Sequence, residues 1–228
     1  MSTTKEIAYE QSVKADRYWS QKTSPDYDAF VWYDRNRNKI CRHLLRGLTS
    51  ECRLLSVGGR GWVERELIDP LGCEKVITDI VAGEGIIEAD AEDLPFPDGY
   101  FDLVISREMI EHVEDDVKLI KELRRVLCPG GHLLITTPNA FAYPIDGVVH
   151  VRAYTPDSFL EFLMSTGFEI IKKAGNIPYI FLALIPLSGK GYRRVLEDFK
   201  NIDRHYKKDY SQLYYIANQL FVLCRKEG

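Results

Sequence analysis

The chain has few cysteines and none spaced as a pair: Cys41, Cys52, Cys73, Cys128 and Cys224 are scattered, odd in number and never arranged as C-x-x-C. That pattern predicts neither a disulfide framework nor a zinc knuckle, and it suits a reducing cytoplasm. Long apolar runs are missing as well. The most apolar stretch, Ile177 to Leu187, is too short and too closely bounded by proline to span a bilayer. Met1 to Glu10 lacks the basic-then-apolar order of a secretion signal, so neither secretion nor membrane insertion is expected. Positive charge is not in excess either. Thirty lysines and arginines against 34 aspartates and glutamates give a formal net charge of −4, which offers no general attraction to a phosphate backbone and argues against nucleic acid as a partner. No internal repeat or low-complexity tract is present.

What remains is ordinary globular composition, 45% hydrophobic and 28% charged over 228 residues, enough for one sizeable core and too little for two comfortable domains. Residues 1–50 alternate polar and aromatic, with Tyr18, Trp19, Tyr27, Phe30, Trp32 and Tyr33, then show helical spacing through Ile40, Leu44 and Leu45 to Gly47. They predict a helical lead-in packed on the main domain. From Arg53 short apolar runs alternate with amphipathic helices. Leu54–Val57, Val76–Ile80, Ile86–Ala89, Leu103–Ser106 and Leu133–Thr137 predict strands, and this alternation predicts an α/β fold with a parallel sheet and right-handed crossovers. Asp115 to Leu127 has apolar residues at helical spacing, with Pro129-Gly130-Gly131 as a stop. Thr155-Pro156-Asp157 predicts a capped helix ending at Gly167, followed by a strand over Phe168–Lys173. The last strand, Leu220–Cys224, comes after an excursion of more than forty residues that carries apolar Tyr179–Leu187 and a basic, aromatic run to Tyr215. Excursions of that length tend to be functional, and a lid favouring an anionic or aromatic acceptor is one reading beside a solvated helix face.

The strand Leu54–Val57 runs into Gly58-Gly59-Arg60-Gly61 and a helical segment from Trp62 to Ile68. Glycine at the carboxyl end of a parallel strand lets backbone approach a ligand, although a dinucleotide, a nucleotide or no ligand at all would also fit one glycine-rich turn. Two further strand ends add weight. Asp79, about twenty residues beyond the glycines, can accept both hydroxyls of a ribose. Asp90, followed by Ala91, can take an exocyclic amine while a backbone N–H meets a ring nitrogen. Three consecutive strand ends thus supply one adenosine site.

Over roughly Leu54 to Phe168 the chain resembles the class I S-adenosylmethionine-dependent methyltransferases, in the methyltransferase domain 11 type. The resemblance rests on Leu55-Ser56-Val57-Gly58-Gly59-Arg60-Gly61, Thr78-Asp79-Ile80, Asp90-Ala91-Glu92-Asp93-Leu94-Pro95-Phe96 followed by Asp98, Phe101-Asp102-Leu103-Val104-Ile105-Ser106, and Leu127-Cys128-Pro129-Gly130-Gly131-His132-Leu133. It implies a Rossmann-like, seven-stranded, mostly parallel sheet with a reversed last strand and helices on both faces. Together with the length and the patterning along the chain, it leads us to expect one methyltransferase domain over 1–228: a lead-in (1–50), a cofactor-binding core (51–177), a lid or acceptor insertion (178–216) and the last strand (217–228). S-adenosylmethionine is the implied cofactor, held by Ser56, Gly58, Gly59, Gly61, Asp79, Ile80, Asp90, Ala91 and Arg107. Ser56 stands where the family usually has an acidic residue that helps hold the cofactor's amino group, and Arg60 and Trp62 alter the glycine spacing.

A sulfonium methyl is already electrophilic, so such an enzyme needs only to align a nucleophile and remove any proton it carries. Glu108-Met109-Ile110-Glu111-His112, after the fourth strand, could do this. One helical turn would bring Glu108, Glu111 and His112 to one surface, where they could coordinate Mg²⁺ or another divalent ion. The string is similar to that of metal-using relatives acting on quinone precursors or the terminal ribose of small RNAs. Alternatively His112, assisted by Glu111, is a metal-free base, or the three simply fix the loop. A second cluster, Thr137-Pro138-Asn139 and His150-Val151-Arg152-Ala153-Tyr154, resembles a linker of relatives acting on sugars, lipids or small metabolites. His150 could be a fourth ligand or another base, and Arg152 an acceptor contact, unless both belong to an ordinary helix-entry loop. His43, His132 and His205 read as surface residues. The expected acceptor is an oxygen or nitrogen of a small molecule or glycan precursor; an RNA or protein methyltransferase and a non-catalytic cofactor-binding protein are the rivals.

Overall fold

Strand and helix alternate as the apolar spacing requires. The computed structural model describes residues 27–59, 61–142, 150–176 and 210–228. Its elements are α1 (Tyr27–Leu44), β1 (Ser50–Val57), α2 (Trp62–Ile68), β2 (Gly72–Asp79), β3 (Ile87–Glu88), β4 (Phe101–Arg107), α3 (Asp116–Val126), β5 (Leu127–Pro138), α4 (Pro156–Ser165), β6 (Phe168–Gly175), a 3₁₀ turn (Tyr210–Leu213) and β7 (Gln219–Lys226). Seven strands form one sheet in the order β3-β2-β1-β4-β5-β7-β6. Pairing is parallel from β3 to β5, and β7 runs antiparallel to both neighbours. The strand order reverses direction between β1 and β4, which opens a crevice at their carboxyl ends where ligands of such sheets bind.

Period-two alternation sends successive side chains to opposite faces. Leu55, Val57, Val104, Leu133 and Ile135 pack against Leu119, Ile120, Leu123 and Val126 of α3 and Phe159 and Leu163 of α4. Leu54, Ile105 and Leu134 face the other way, onto Ile40 and Leu44 of α1 and Leu67 and Ile68 of α2. Each such side chain contributes about 1.5–3 kcal/mol by leaving water. The helix starts follow their local chemistry: Asp115 accepts from the Lys118 amide at the start of α3, and Thr155 and Ser158 form a reciprocal capping box with Pro156 in the first turn of α4.

The strands run longer than the apolar runs, because pairing with buried neighbours carries polar ends along. β3 is the exception, shrinking to two exposed residues at the sheet edge. Pro129-Gly130-Gly131 lies within β5, so α3 passes straight into the strand. Cys52 and Cys73, expected to be unpaired, are bonded to each other across β1 and β2. Their 21-residue separation carries no signal in the sequence; parallel pairing of the two strands brings them together, and the bond removes the ground for expecting a reducing cytoplasm. No helix among the described residues is long and apolar enough to cross a membrane. Tyr18 and Trp19 of the lead-in, Arg60, His205 and residues 178–209 of the lid expected over 178–216 lie outside the described residues.

Where β6 meets the turn before β7, backbone packing is tight. A Cβ on Gly175 would stand 2.4 Å from the Ala217 Cβ and 2.6 Å from the Leu213 carbonyl oxygen. Gly175→Ala is therefore expected to lower stability by about 1–3 kcal/mol in urea unfolding; an unchanged midpoint would contradict this packing.

Candidate cofactor and acceptor site

The glycine loop leaves β1 at Val57 and enters α2 at Trp62. Both the Gly58 and the Gly59 amides donate to one acceptor, the Thr78 carbonyl at the end of β2, at 2.9 and 3.2 Å. Those N–H groups are spent, so this turn is not built as a phosphate cradle. Beneath the loop lies a carboxylate. Ser56, 1% exposed, donates to Glu64 of α2 at 2.6 Å, and Glu64 is itself 6% exposed. A Cβ on Gly59 would fall 2.3 Å from the Ser56 hydroxyl and 3.1 Å from the Glu64 Cγ, so glycine is required for the approach. Ser56 stands where the resemblance implies an acid, and Glu64 brings one to it from the following helix.

Next along the sheet edge, Asp79 is 7% exposed and accepts from the Val81 amide at 3.0 Å, with Ile80 half-buried beside it. Asp90 caps its own turn by accepting from the Glu92 amide at 3.0 Å, and Ala91 is half-buried against the core. The Ala89 amide donates to the Asp79 carbonyl and fixes the two strand ends side by side. Acceptors for a vicinal diol and for an exocyclic amine therefore stand in sequence on β2 and after β3. The Asp93–Asp98 stretch is held by Arg125 of α3, which donates to the Leu94 and Phe96 carbonyls and to Asp98 and Glu122.

On the other side of the glycine loop, Arg107 at the end of β4 is a buried partner of Glu64 at 3.1 Å and donates to Asn38 of α1 at 2.8 Å. Sequence spacing missed Glu64 and Asn38. An acidic residue in a first helical turn has an ordinary electrostatic explanation, so nothing marked Glu64 as more than that.

Glu108 does not join Glu111 and His112, contrary to the helical-turn expectation. Its backbone is left-handed, with φ 49°, and no helix forms there. Its carboxylate is instead taken by Thr136, Gln219 and Arg37, the last at 3.4 Å. His150 occupies the place expected for Glu108. The Val151 amide donates to the Glu111 carbonyl at 2.9 Å, the His112 and His150 rings lie 5.1 Å apart, and His112 Nε2 is 3.9 Å from Glu111 Oε1. Donor atoms of Glu111, His112 and His150 all fall within 4.8 Å of one another. Arg152 is not turned to an acceptor: it pairs with Asp116 and donates to the Val113 and Glu114 carbonyls, clasping the linker to the turn before α3. His43 lies edge-on to Tyr210, and His132 is half-buried on β5.

Glu111 is 1% exposed, and burial, reinforced by the neighbouring Glu108 charge, pushes its carboxyl well above the usual glutamate range. The folded protein thus keeps a proton there that the unfolded chain releases. Stability from this group is complete below the ordinary value of 4.5 and falls as pH rises toward the raised folded value. Asp34, raised by burial, acts in the same sense. Glu111→Gln cannot ionise, so its melting temperature is expected to fall less steeply than the wild type's as pH rises above 4.5. Identical slopes would show that Glu111 is charged in the fold.

A family model described as a methyltransferase domain matches residues 73–135. A Mycobacterium tuberculosis protein named "Probable S-adenosylmethionine-dependent methyltransferase" is 25% identical over 171 residues, 68% of this chain. The matched part is 62% of that relative, so the chain spans less than two thirds of its length. Sarcosine/dimethylglycine N-methyltransferase of Halorhodospira halochloris is 25% identical over 202 residues, covering 69% of this chain and 72% of the relative. Among solved structures, a Haemonchus contortus phosphoethanolamine N-methyltransferase 2 with S-adenosylhomocysteine bound superposes with a TM-score of 0.60 at 19% identity, over 100% of this chain and 61% of that one. That superposition supports the fold of this sheet, mostly parallel with a reversed β7. The chain carries a match to a methyltransferase domain and has the fold of the class I S-adenosylmethionine-dependent methyltransferases.

Proposed function

We propose that the protein transfers the methyl group of S-adenosylmethionine to an oxygen or nitrogen of a small molecule or glycan precursor. One observation carries this: acceptors suited to adenosine stand at the ends of β2 and β3, and across the glycine loop, after β4, a buried carboxyl meets two imidazoles. Asp79 takes the ribose hydroxyls, Asp90 and the Ala91 amide the adenine edge, and the loop Gly58, Gly59 and Gly61 gives the chain close access to the remainder. The cofactor supplies an electrophilic methyl, so the protein's own task is alignment and proton removal. His112 is the base, and His150 beside it is the second proton acceptor. Glu111, kept neutral by burial, donates a hydrogen bond to the acceptor or holds an imidazole in place.

The Halorhodospira halochloris relative, named for N-methylation of sarcosine and dimethylglycine, supports a small-molecule acceptor, and the net charge of −4 does not favour RNA. A second reading is favoured by the donor triad itself: two imidazoles and a carboxylate could hold a divalent cation that acidifies an acceptor hydroxyl. Assays run with Mg²⁺, with Zn²⁺ and with chelator separate the two. The test of the main proposal is incubation with methyl-labelled S-adenosylmethionine and fractionated cell extract. Label is expected in the small-molecule fraction. Label confined to RNA or protein would overturn the acceptor class, and none in any fraction would favour a non-catalytic binding protein.

A further inference from the structure

The adenosine end of the cofactor, on the function proposed above, occupies Asp79 and Asp90 at β2 and β3. β3 is the edge of the sheet, so the amino-acid end can only continue the other way, toward β1 and β4. There the chain has buried an opposed pair, with Glu64 on the glycine-loop side and Arg107 on the β4 side at 3.1 Å, their side chains 7% and 6% exposed. A zwitterionic amino acid carries the complementary charges. Arg107 also keeps a buried Nε with no hydrogen-bond partner among the described residues, an unspent donor of the kind that proteins seldom bury. The loop above has its Gly58 and Gly59 amides tied to Thr78, so it is unsuited to an anion and compatible with an ammonium group.

We propose that Glu64 is a positioning residue for the amino-acid end of the cofactor: its carboxylate, reaching from α2, holds Ser56 under the glycine loop and orders Arg107 at the end of β4. Asn38 extends the arrangement to α1, accepting from Arg107 at 2.8 Å and donating to the Val63 carbonyl at 2.9 Å. The carboxylate is supplied by a helix eight positions after the strand residue it supports, so it acts through Ser56 and the loop backbone as well as through charge.

The experiment compares two ligands by calorimetry. S-adenosylhomocysteine has the zwitterionic tail, and 5′-methylthioadenosine has the same nucleoside without it. Glu64→Gln is expected to weaken S-adenosylhomocysteine about tenfold, as loss of one charge-assisted contact should, while methylthioadenosine changes by less than about twofold. Ser56→Ala, which removes only the hydroxyl, should show the same selectivity at about threefold and serves if Glu64→Gln does not fold. The exchange Ser56→Asp with Glu64→Ser, which returns a carboxylate from the strand, should recover most of the loss. Equal weakening of both ligands, or of neither, would overturn the positioning role while leaving the cofactor assignment intact. Failure of the wild-type protein to bind either ligand would overturn the assignment itself and this inference with it.

Discussion

His112→Ala is expected to lower methyl transfer by about 10²–10⁴-fold at saturating cofactor, the usual worth of a positioned general base, with S-adenosylhomocysteine affinity unchanged within about twofold. His112 is the choice over His150 because its Nε2 lies 3.9 Å from a carboxyl that burial holds neutral, so it has a neighbour that can orient it without fixing a positive charge on it. A base works only in its unprotonated form, so the wild-type rate should fall toward low pH and the variant should lose that limb. Initial rates across pH with the identified acceptor measure both. Unchanged turnover would return Glu111, His112 and His150 to a loop-fixing role. A full loss in His150→Ala with little effect in His112→Ala would exchange their assignments.

Asp79→Ala is expected to weaken S-adenosylhomocysteine by about 1–3 kcal/mol, roughly 5- to 150-fold, from lost hydrogen bonds to the ribose. Asp79 also supports the Val81 amide at 3.0 Å, so part of any loss could come from the turn. Asp79→Asn separates the two, since an amide oxygen can still accept from Val81 while one acceptor toward the ribose becomes a donor. An intermediate affinity for the asparagine variant fits ribose binding. Full affinity in both variants would mean that the ribose lies elsewhere.

The strands were legible wherever burial on both faces left mostly apolar residues, as in Leu54–Val57, Leu103–Ser106 and Leu133–Thr137. Thr155 and Pro156 announced α4 through capping chemistry that is local by nature. Candidate residues at strand ends were legible for the same reason, because alternation plus a glycine turn fixes where a parallel strand stops. Features that depend on contacts between distant segments were not. Glu64 gains its place from the packing of α2 under the loop, and Arg37 of α1 reaches Glu108 across the sheet's carboxyl edge. The left-handed backbone at Glu108 broke the helical spacing assumed for Glu108, Glu111 and His112, and the hydrogen bond from the Val151 amide to the Glu111 carbonyl brought His150 in instead. Similarly, Arg152 looked available for an acceptor until Asp116 and two carbonyls claimed it. Single-residue chemistry was a fair guide to what each side chain could do and a poor guide to which partner it would find.

The central claim is that three strand ends and a glycine loop with spent amides form a site for S-adenosylmethionine rather than for a phosphate-bearing nucleotide. Calorimetric titration of the purified protein with S-adenosylmethionine, S-adenosylhomocysteine and NAD⁺ tests it most directly. Binding of the first two at about micromolar affinity, with NAD⁺ at least ~100-fold weaker, is the expected result. Absence of binding to both adenosyl ligands, or preference for the dinucleotide, would contradict it.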